Sequence, residues 1–399
     1  MISPPALTEM ELKPIIAMAA LARLPSTEFP GLIAQMFAQP VDATLYMNQF
    51  QIFSTFGNQA FALDMQAKAL ELNTIYRIAS SKQPAIRLLA LMGPGDSTDN
   101  TPLDYLLEDS DIQLDLLYIL PDGSLPGFIP EHDVAIVALG ESARNRPVLE
   151  MMNELTENWP RPVLNLAKHI LRCARDSVYQ LLKDIPDLVI PPTLRVARHE
   201  LERELPAGLR YPITVRPLDS QAGRGLSRID DAAQLTAYLD TTSAEIFYAS
   251  LFVDYQSRDG LYRKLRIALI DGQPYICHLA IGDEWIVHYG SSGMMDHVGR
   301  RCEEARFMQN FDNTFMQRHA TALRRIAAQL SLDYVVIDCA ETMDGKLLLF
   351  EADNRGWVHA TDPAEFFAYK QEAMQRLFAA FRAMLFNATI KSSSVAQQP

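Results

Sequence analysis

Apolar and polar positions follow two rhythms along this chain. Through the first eighty residues the period is helical. In "FALDMQAKALELNTIYRI" (61–78) apolar side chains recur at i, i+3, i+4 and i+7 with no glycine or proline between them. Residues 1–80 therefore read as a helical N-terminal region, with no second copy at a fixed period. From residue 84 short apolar runs alternate with helical stretches. "AIRLLALM", "LDLLYIL", "DVAIVALG" and "PVLNL" read as strands, and "TPLDYLLED" and "RNRPVLEMMNEL" as helices. That alternation predicts a small parallel α/β domain over 81–165. Its first strand ends in "GPGD", either a tight turn or a ligand-facing loop.

Beyond residue 166 the pattern becomes α+β. The helix "RDSVYQLLKDI" leads into the extended "DLVIPPTLRV", where Pro191 and Pro192 end any helix. Strand "YPITVRPL" opens the loop "DSQAGRGLSRI", and helix "DDAAQLTAYLD" follows. "EIFYASLFVDY" and "LYRKLRIALIDGQPYICHLAI" read as strands, the latter a hairpin turning at Asp271-Gly272. A long helix, "NTFMQRHATALRRIAAQL", precedes the strands "DYVVIDCA" and "KLLLFEAD". The last helix is "EFFAYKQEAMQRLFAAFRAML", and 389–399 reads as a disordered tail.

Composition narrows the class. The 399 residues are 48% hydrophobic and 21% charged, as in globular proteins, and long enough for two or three domains. A net charge of -13 argues against nucleic acid as the main partner. The four cysteines, Cys173, Cys277, Cys302 and Cys339, show neither metal spacing nor a disulfide framework, which predicts a reducing cytoplasm. The first residues lack the pattern of a signal peptide, and no apolar run reaches membrane-spanning length.

Two clusters carry candidate chemistry. Strand residue Arg216 precedes a loop with Ser220, Gly223 and Gly225. Glycines let backbone amides approach a phosphate chain, and Arg216 adds charge; a plain hairpin turn is the competing reading. The second cluster is "VVIDCAETMDGKLLLFEADN". Asp338 closes one strand, Glu351 and Asp353 the next, and Asn354 follows. Such oxygens suit Mg2+ on ATP phosphates, or they are solvated strand ends.

Taken in order, a strand ending Arg-Pro-Leu-Asp before a glycine loop, a strand ending in Asp and a strand ending Glu-Ala-Asp resemble the ATP-grasp superfamily. The likeness is greatest to its glutathione synthetase-like and RimK-like carboxylate-amine ligase branch, and it covers about 84–385. "VLNLAKHILRCARDSVYQLLKDIPDLVIPPTLRV" is similar to that branch's Asn-Pro stretch, phosphate-contact helix and Pro-Pro-Thr strand. The resemblance implies a pre-ATP-grasp domain (81–165) and a two-lobed ATP-grasp domain (166–388) with ATP and Mg2+ as cofactors. It assigns Arg216, and Arg175 or its neighbour Asp176, to the phosphates and 220–225 to a lid. Ser250, Leu251 and Phe252 take the adenine position. Asp338, Glu351 and Asp353, with Asn354 as rival to the last, take the metal. Arg266 takes the acyl-transfer intermediate.

The implied function is ATP-dependent joining of a carboxylate to an amine through an acyl phosphate, on an amino acid or peptide. The rivals are a grasp-fold phosphotransferase, and a non-catalytic nucleotide-binding protein whose helical region docks a protein partner or a second copy. Arg263, Lys264, His278, His288 and Asn354 are candidate substrate residues, since a basic cluster in an acidic protein suits an anion. A solvated charged hairpin explains that cluster equally, and Trp285 and Trp357 fit either a pocket or the core.

Overall fold

The computed structural model describes residues 12–25, 27–38, 41–78, 82–220 and 223–395. Its architecture is mixed α/β, built on three sheets. The first has six strands: β1 (Pro14–Ile15), β2 (Ile75–Ile78), β3 (Ile86–Met92), β4 (Ile112–Tyr118), β5 (Val134–Val137) and β6 (Val163–Leu164), in the order β1-β2-β4-β3-β5-β6. Strands β4, β3, β5 and β6 are mutually parallel, as the strand-helix alternation predicts.

The N-terminal region is not helical throughout. Helices Met18–Arg23, Phe29–Phe37, Ala43–Thr55 and Gln59–Leu72 are present. Residues 75–78 nevertheless form β2, antiparallel to β4, and 14–15 form β1 beside it. The helical reading ran on through "TIYRI" because Ile75 and Ile78 satisfy helical spacing; pairing with an exposed sheet edge overrides it. Met47, Phe50 and Met65 of these helices share one buried cluster with Leu88 and Ile136 of the sheet.

The remaining strands build two further sheets. β7 (Leu188–Val189) edges the third sheet. β8 (Thr193–Ala197), β9 (Ile213–Pro217), β10 (Ser227–Ile229) and β11 (Ile246–Leu251) form the antiparallel second sheet, in the order β10-β9-β11-β8. β12 (Tyr262–Ile270), β13 (Gln273–Gly282), β14 (Tyr334–Glu341) and β15 (Leu347–Asp353) complete the third, ordered β13-β12-β14-β15-β7. Asp271 (φ 47) and Gly272 (φ 73) make the β12–β13 turn with the left-handed backbone such a hairpin requires.

Packing separates these sheets unequally. Ile267 and Ile337 of the third sheet share a core with Leu89 and Val137 of the first. The second sheet instead buries Ile213, Val215 and Phe247 with Leu235 and Leu239 of helix Ala232–Thr241 in a core of its own. The final helix, Gln371–Val395, runs past the expected start of a tail at 389, and 396–399 lie outside the described residues. The long helix expected over 313–330 breaks at His319, and an unanticipated helix, Val298–Asn310, precedes it. Among the described residues no helix is long and apolar enough to cross a membrane.

Asn165 fastens the first sheet to the third. Its Nδ2 donates to the Tyr334 carbonyl at 2.8 Å, and its Oδ1 accepts from the Tyr334 amide at 2.9 Å. Its own N–H donates to Asp333 at 2.7 Å. Asparagine tolerates the φ of 51° found here, and the residue is fully buried. Asn165→Ala leaves a buried donor and a buried acceptor unpaired, at roughly 1–3 kcal/mol each. Chemical denaturation is expected to show a loss of about 3 kcal/mol; a loss below about 0.5 kcal/mol contradicts this role.

Candidate active site

A cavity of about 600 Å³ lies between the second and third sheets. Strand alternation decides which side chains face it. On β9, Ile213 and Val215 point into the small core, so Thr214 and Arg216 point into the cavity. Across the ladder Arg216 stands opposite Tyr248, and Thr214 opposite Ser250. Ser250, Leu251 and Phe252 line the same wall, with Ser250 Oγ 2.8 Å from Thr193 Oγ1.

The third sheet answers with one rung across four strands. His278 on β13 pairs with Arg266 on β12, Arg266 with Asp338 on β14, and Asp338 with Glu351 on β15. All four line the cavity. The ladder slips beside this rung twice, after Arg266 on β12 and after Asp338 on β14. Bulges of this kind re-aim side chains at functional sites. Here they let Cys277 with His278, and Phe350 with Glu351, face the cavity as adjacent pairs.

Asp338 is the electrostatic anchor. Arg266 Nε and Nη2 donate to its two oxygens at 2.8 and 3.0 Å, and Lys264 Nζ lies 2.7 Å away. Burial alone would raise its pKa, but Arg266 and Lys264 hold it well below the usual carboxylate range. Arg175 Nη2 lies 2.7 Å from Glu351 Oε1. Burial opposes the charge on Glu351 as well, yet Arg175 and then Arg216 keep its pKa lowered.

Arg216 is different. It is 8% exposed and, among the described residues, hydrogen-bonds only Ser220, through Nε to Oγ at 3.0 Å and Nη2 to the carbonyl. Burial and repulsion from Arg175 outweigh the attraction of Glu351 and push its pKa down to about 10. Ser220 thus positions Arg216, and Gly223 lines the cavity. Gly225, at φ 67°, packs on Pro217, where a Cβ would come within 2.8 Å of the proline ring. Positive φ at 223 and 225 is the loop's reason for glycine.

Several expected residues lie elsewhere. Arg263 is not in the cavity: one position out of phase with Lys264 and Arg266, it turns to the other face, where Asp259 at 2.7 Å and Glu303 bind it. Asn354 is fully buried beyond the strand end, its Nδ2 reaching the Leu139 carbonyl at 3.3 Å, so it serves neither metal nor substrate. Asp176 pairs with Arg195 at 3.5 Å on a separate groove, so of the two neighbours Arg175 is the one that lines the cavity. Lys264, His278, His288, Trp285 and Trp357 do line the cavity.

Magnesium can be tested against these oxygens. Asp338 and Glu351 offer hard carboxylate donors on adjacent strands, the chemistry this ion takes. Asp353 lines the cavity but is spoken for, with Arg355 Nε 3.1 Å from both its oxygens. Arg355 crosses to the Glu141 carbonyl at 2.8 Å over Gly140, where any Cβ would strike it at 1.9 Å. Among the described residues no group of three or more metal-ligating side chains converges. Each of the three carboxylates is held by cations of the chain, Asp338 by Arg266 and Lys264, Glu351 by Arg175 and Asp353 by Arg355, so an ion bound at any of them displaces such a pairing.

Sequence reasoning missed Arg355, His359, Asp362 and Lys370, which also line the cavity. Arg355 directly follows the acidic motif and was legible there; Lys370 precedes the last helix with no motif around it. Burial pushes the Cys277 thiol up to about 12, so it offers no thiolate nucleophile at neutral pH.

No protein-family model and no curated protein matches the chain. Solved structures do. The chain is similar to the D-alanyl-alanine synthetase A of Vibrio cholerae at 14% identity and a TM-score of 0.49, over 77% of this chain and 99% of that one. It is similar to the VanG D-Ala:D-Ser ligase of Enterococcus faecalis at 10% identity and 0.48, over 76% and 100%. A RimK domain ATP-grasp protein of Sphaerobacter thermophilus is similar at 16% identity and 0.43, over 74% and 98%. At these identities and TM-scores the likeness carries no conclusion on chemistry, which the cavity's own side chains must supply.

Asp338→Asn leaves Lys264 and Arg266 buried without their carboxylate. Losing one partner of a buried ion cluster costs about 3–5 kcal/mol, the deficit expected from urea unfolding at pH 7. Because the folded pKa of Asp338 is depressed, its contribution is present above the unfolded value of about 3.9 and fades as pH falls toward the folded one. The gap between parent and variant is therefore expected to narrow below about pH 4; a gap independent of pH contradicts the assignment.

Proposed function

We propose that the protein is an ATP-grasp ligase that joins a carboxylate to an amine at the expense of ATP. The observation that carries the reading is Arg216: a buried guanidinium whose hydrogen bonds among the described residues go only to Ser220, repelled by Arg175 and attracted by Glu351 without a hydrogen bond to it, in a cleft between two sheets. A buried cation left unpaired is costly unless an anion completes it. A triphosphate supplies that anion, and Gly223 and Leu226 line the cavity on the same side as Arg216. The separate core of the second sheet supports a lobe that can close on the nucleotide.

In this reading Arg216 and Arg175 hold the phosphates, and the base lies against Ser250, Leu251 and Phe252. Asp338 and Glu351 are the residues to hold magnesium, which when bound screens charge on the triphosphate. A substrate carboxylate oxygen attacks the γ-phosphorus, and the bond to ADP breaks. The acyl phosphate so formed lies over Arg266, whose guanidinium Asp338 holds flat in the sheet. An amine nitrogen then attacks the carbonyl carbon, and the C–O bond to phosphate breaks. Arg266 stabilises the anionic tetrahedral centre between these steps. No side-chain nucleophile is required. The remaining cations, Lys264 and Lys370, suit an amino acid or peptide carboxylate. A cytoplasm, where ATP and free thiols coexist, is the compartment this chemistry needs.

Three results are expected. Phosphate release from ATP and magnesium should depend on both a carboxylate and an amine in a panel of amino acids and dipeptides; release with phosphoryl product but no amine dependence would favour a phosphotransferase. Arg216→Ala should lower affinity for a non-hydrolysable ATP analogue at least tenfold, with Arg216→Lys between the two. Arg216→Met should not lower the melting temperature of the nucleotide-free protein, since a buried unpaired charge is removed. Unchanged affinity in Arg216→Ala removes this residue from the phosphate site.

A further inference from the structure

The His278–Arg266–Asp338–Glu351 rung orders the cavity along one axis. Adjacent strands lie about 4.8 Å apart, so its ends are separated by roughly 14 Å. Glu351, with Arg175 and Arg216, marks the phosphate end. Arg266 lies between, and His278 stands at the other end, beyond the point where an acyl phosphate would sit. His278 is the neighbour of Arg266 on the rung, within reach of an amine adding to a carbonyl held over Arg266.

We propose that His278 is the general base that deprotonates the attacking amine, an assignment that rests on the ligase reading above. A substrate ammonium cannot attack until it loses a proton, because its nitrogen has no free electron pair. The His278 ring is half-buried and open to the cavity, and no group among the described residues hydrogen-bonds it. Its free ring nitrogen accepts the first proton of the ammonium. The neutral nitrogen adds to the carbonyl carbon, forming the C–N bond and the tetrahedral centre, which then collapses with cleavage of the C–O bond to phosphate. The departing phosphate takes the second proton, and the imidazolium returns the first to solvent. Protons and electron pairs balance without any further reactant.

The surroundings keep this imidazole neutral and fixed. Burial, Arg266, Lys370 and Lys264 disfavour its protonated form and Asp338 favours it, leaving the pKa well below the usual histidine value, so the ring meets the ammonium neutral and gives up the proton it accepts readily. The Tyr289 ring packs on it at 4.3 Å between centroids. Tyr289 is itself held, its hydroxyl donating to Glu304 at 3.2 Å and accepting from Lys370 at 3.0 Å. His359 reaches the same cavity but does not suit the role. Its Nδ1 accepts from the Thr361 amide at 3.3 Å, which leaves a neutral ring only Nε2–H, a donor, to offer. His288 lies on an exposed segment outside the strands.

Hydroxylamine separates base catalysis from everything before it, because it is largely neutral at pH 7 and needs no deprotonation. The wild type, His278→Gln and His278→Asn are each given ATP, magnesium and a mixture of the twenty amino acids, with and without hydroxylamine. Acyl hydroxamate and amine-dependent phosphate release are measured, and binding of a non-hydrolysable ATP analogue confirms that each variant is folded. In both variants amine-dependent release is expected to fall about 10²–10⁴-fold while hydroxamate formation keeps most of its rate. The residual amine reaction should climb with pH, about tenfold per unit, as free amine accumulates. Variants that keep amine-dependent release within threefold, or that lose both reactions equally, overturn the base assignment while leaving the ligase reading standing. A wild type that forms no hydroxamate overturns the ligase reading, and the base assignment falls with it.

Discussion

The ion cluster at Asp338 is the constraint on which the site depends. A carboxylate 5% exposed is tolerable only when it is paired, and pairing it to both Arg266 and Lys264 fixes two cations of β12 in one plane. The two ladder slips follow the same logic: each sacrifices a regular step of the sheet beside that cluster so that neighbouring side chains turn into the cavity. Ionic pairing thus converts a plain antiparallel sheet into an ordered row of acid, cation and imidazole. The row needs no loop to hold it, and a reacting centre benefits from such rigid support.

The second sheet contributes the opposite kind of group. Arg216 has serine oxygens for company and a depressed pKa, so the folded protein carries a desolvation cost there. Cations on the third sheet, and Arg195 and Arg228 on the second, are ion-paired within the chain; Arg216 has no ion pair among the described residues and faces the cavity. That asymmetry, together with a small core separate from the large one, is what the proposed anion site rests on.

Much of this was legible in the chain. The Asp271-Gly272 hairpin, the parallel strands of 86–164 and the acidic end of β15 all follow from local pattern, whereas Asp338, expected to close its strand, lies within β14, which runs on to Glu341. Arg263 shows a rule left unapplied: period-2 alternation with Lys264 and Arg266 excludes it from their face. Asn354 lies past the strand, where alternation no longer predicts direction. Other features had no local signal. Helix Val298–Asn310 is polar nearly all round, and β1 is a two-residue strand defined by its partner rather than by pattern. Register is the deepest omission, since nothing in "HLAIGDEW" says that His278 stands opposite Arg266. Only the slipped ladder does.

The most direct test of this account is a crystal structure with magnesium and a non-hydrolysable ATP analogue. The account places the triphosphate between Arg216 and Arg175, its γ-phosphate above Asp338 and Glu351, and the base against Ser250 to Phe252. A nucleotide bound outside the cleft, or phosphates turned away from Arg216, would contradict it.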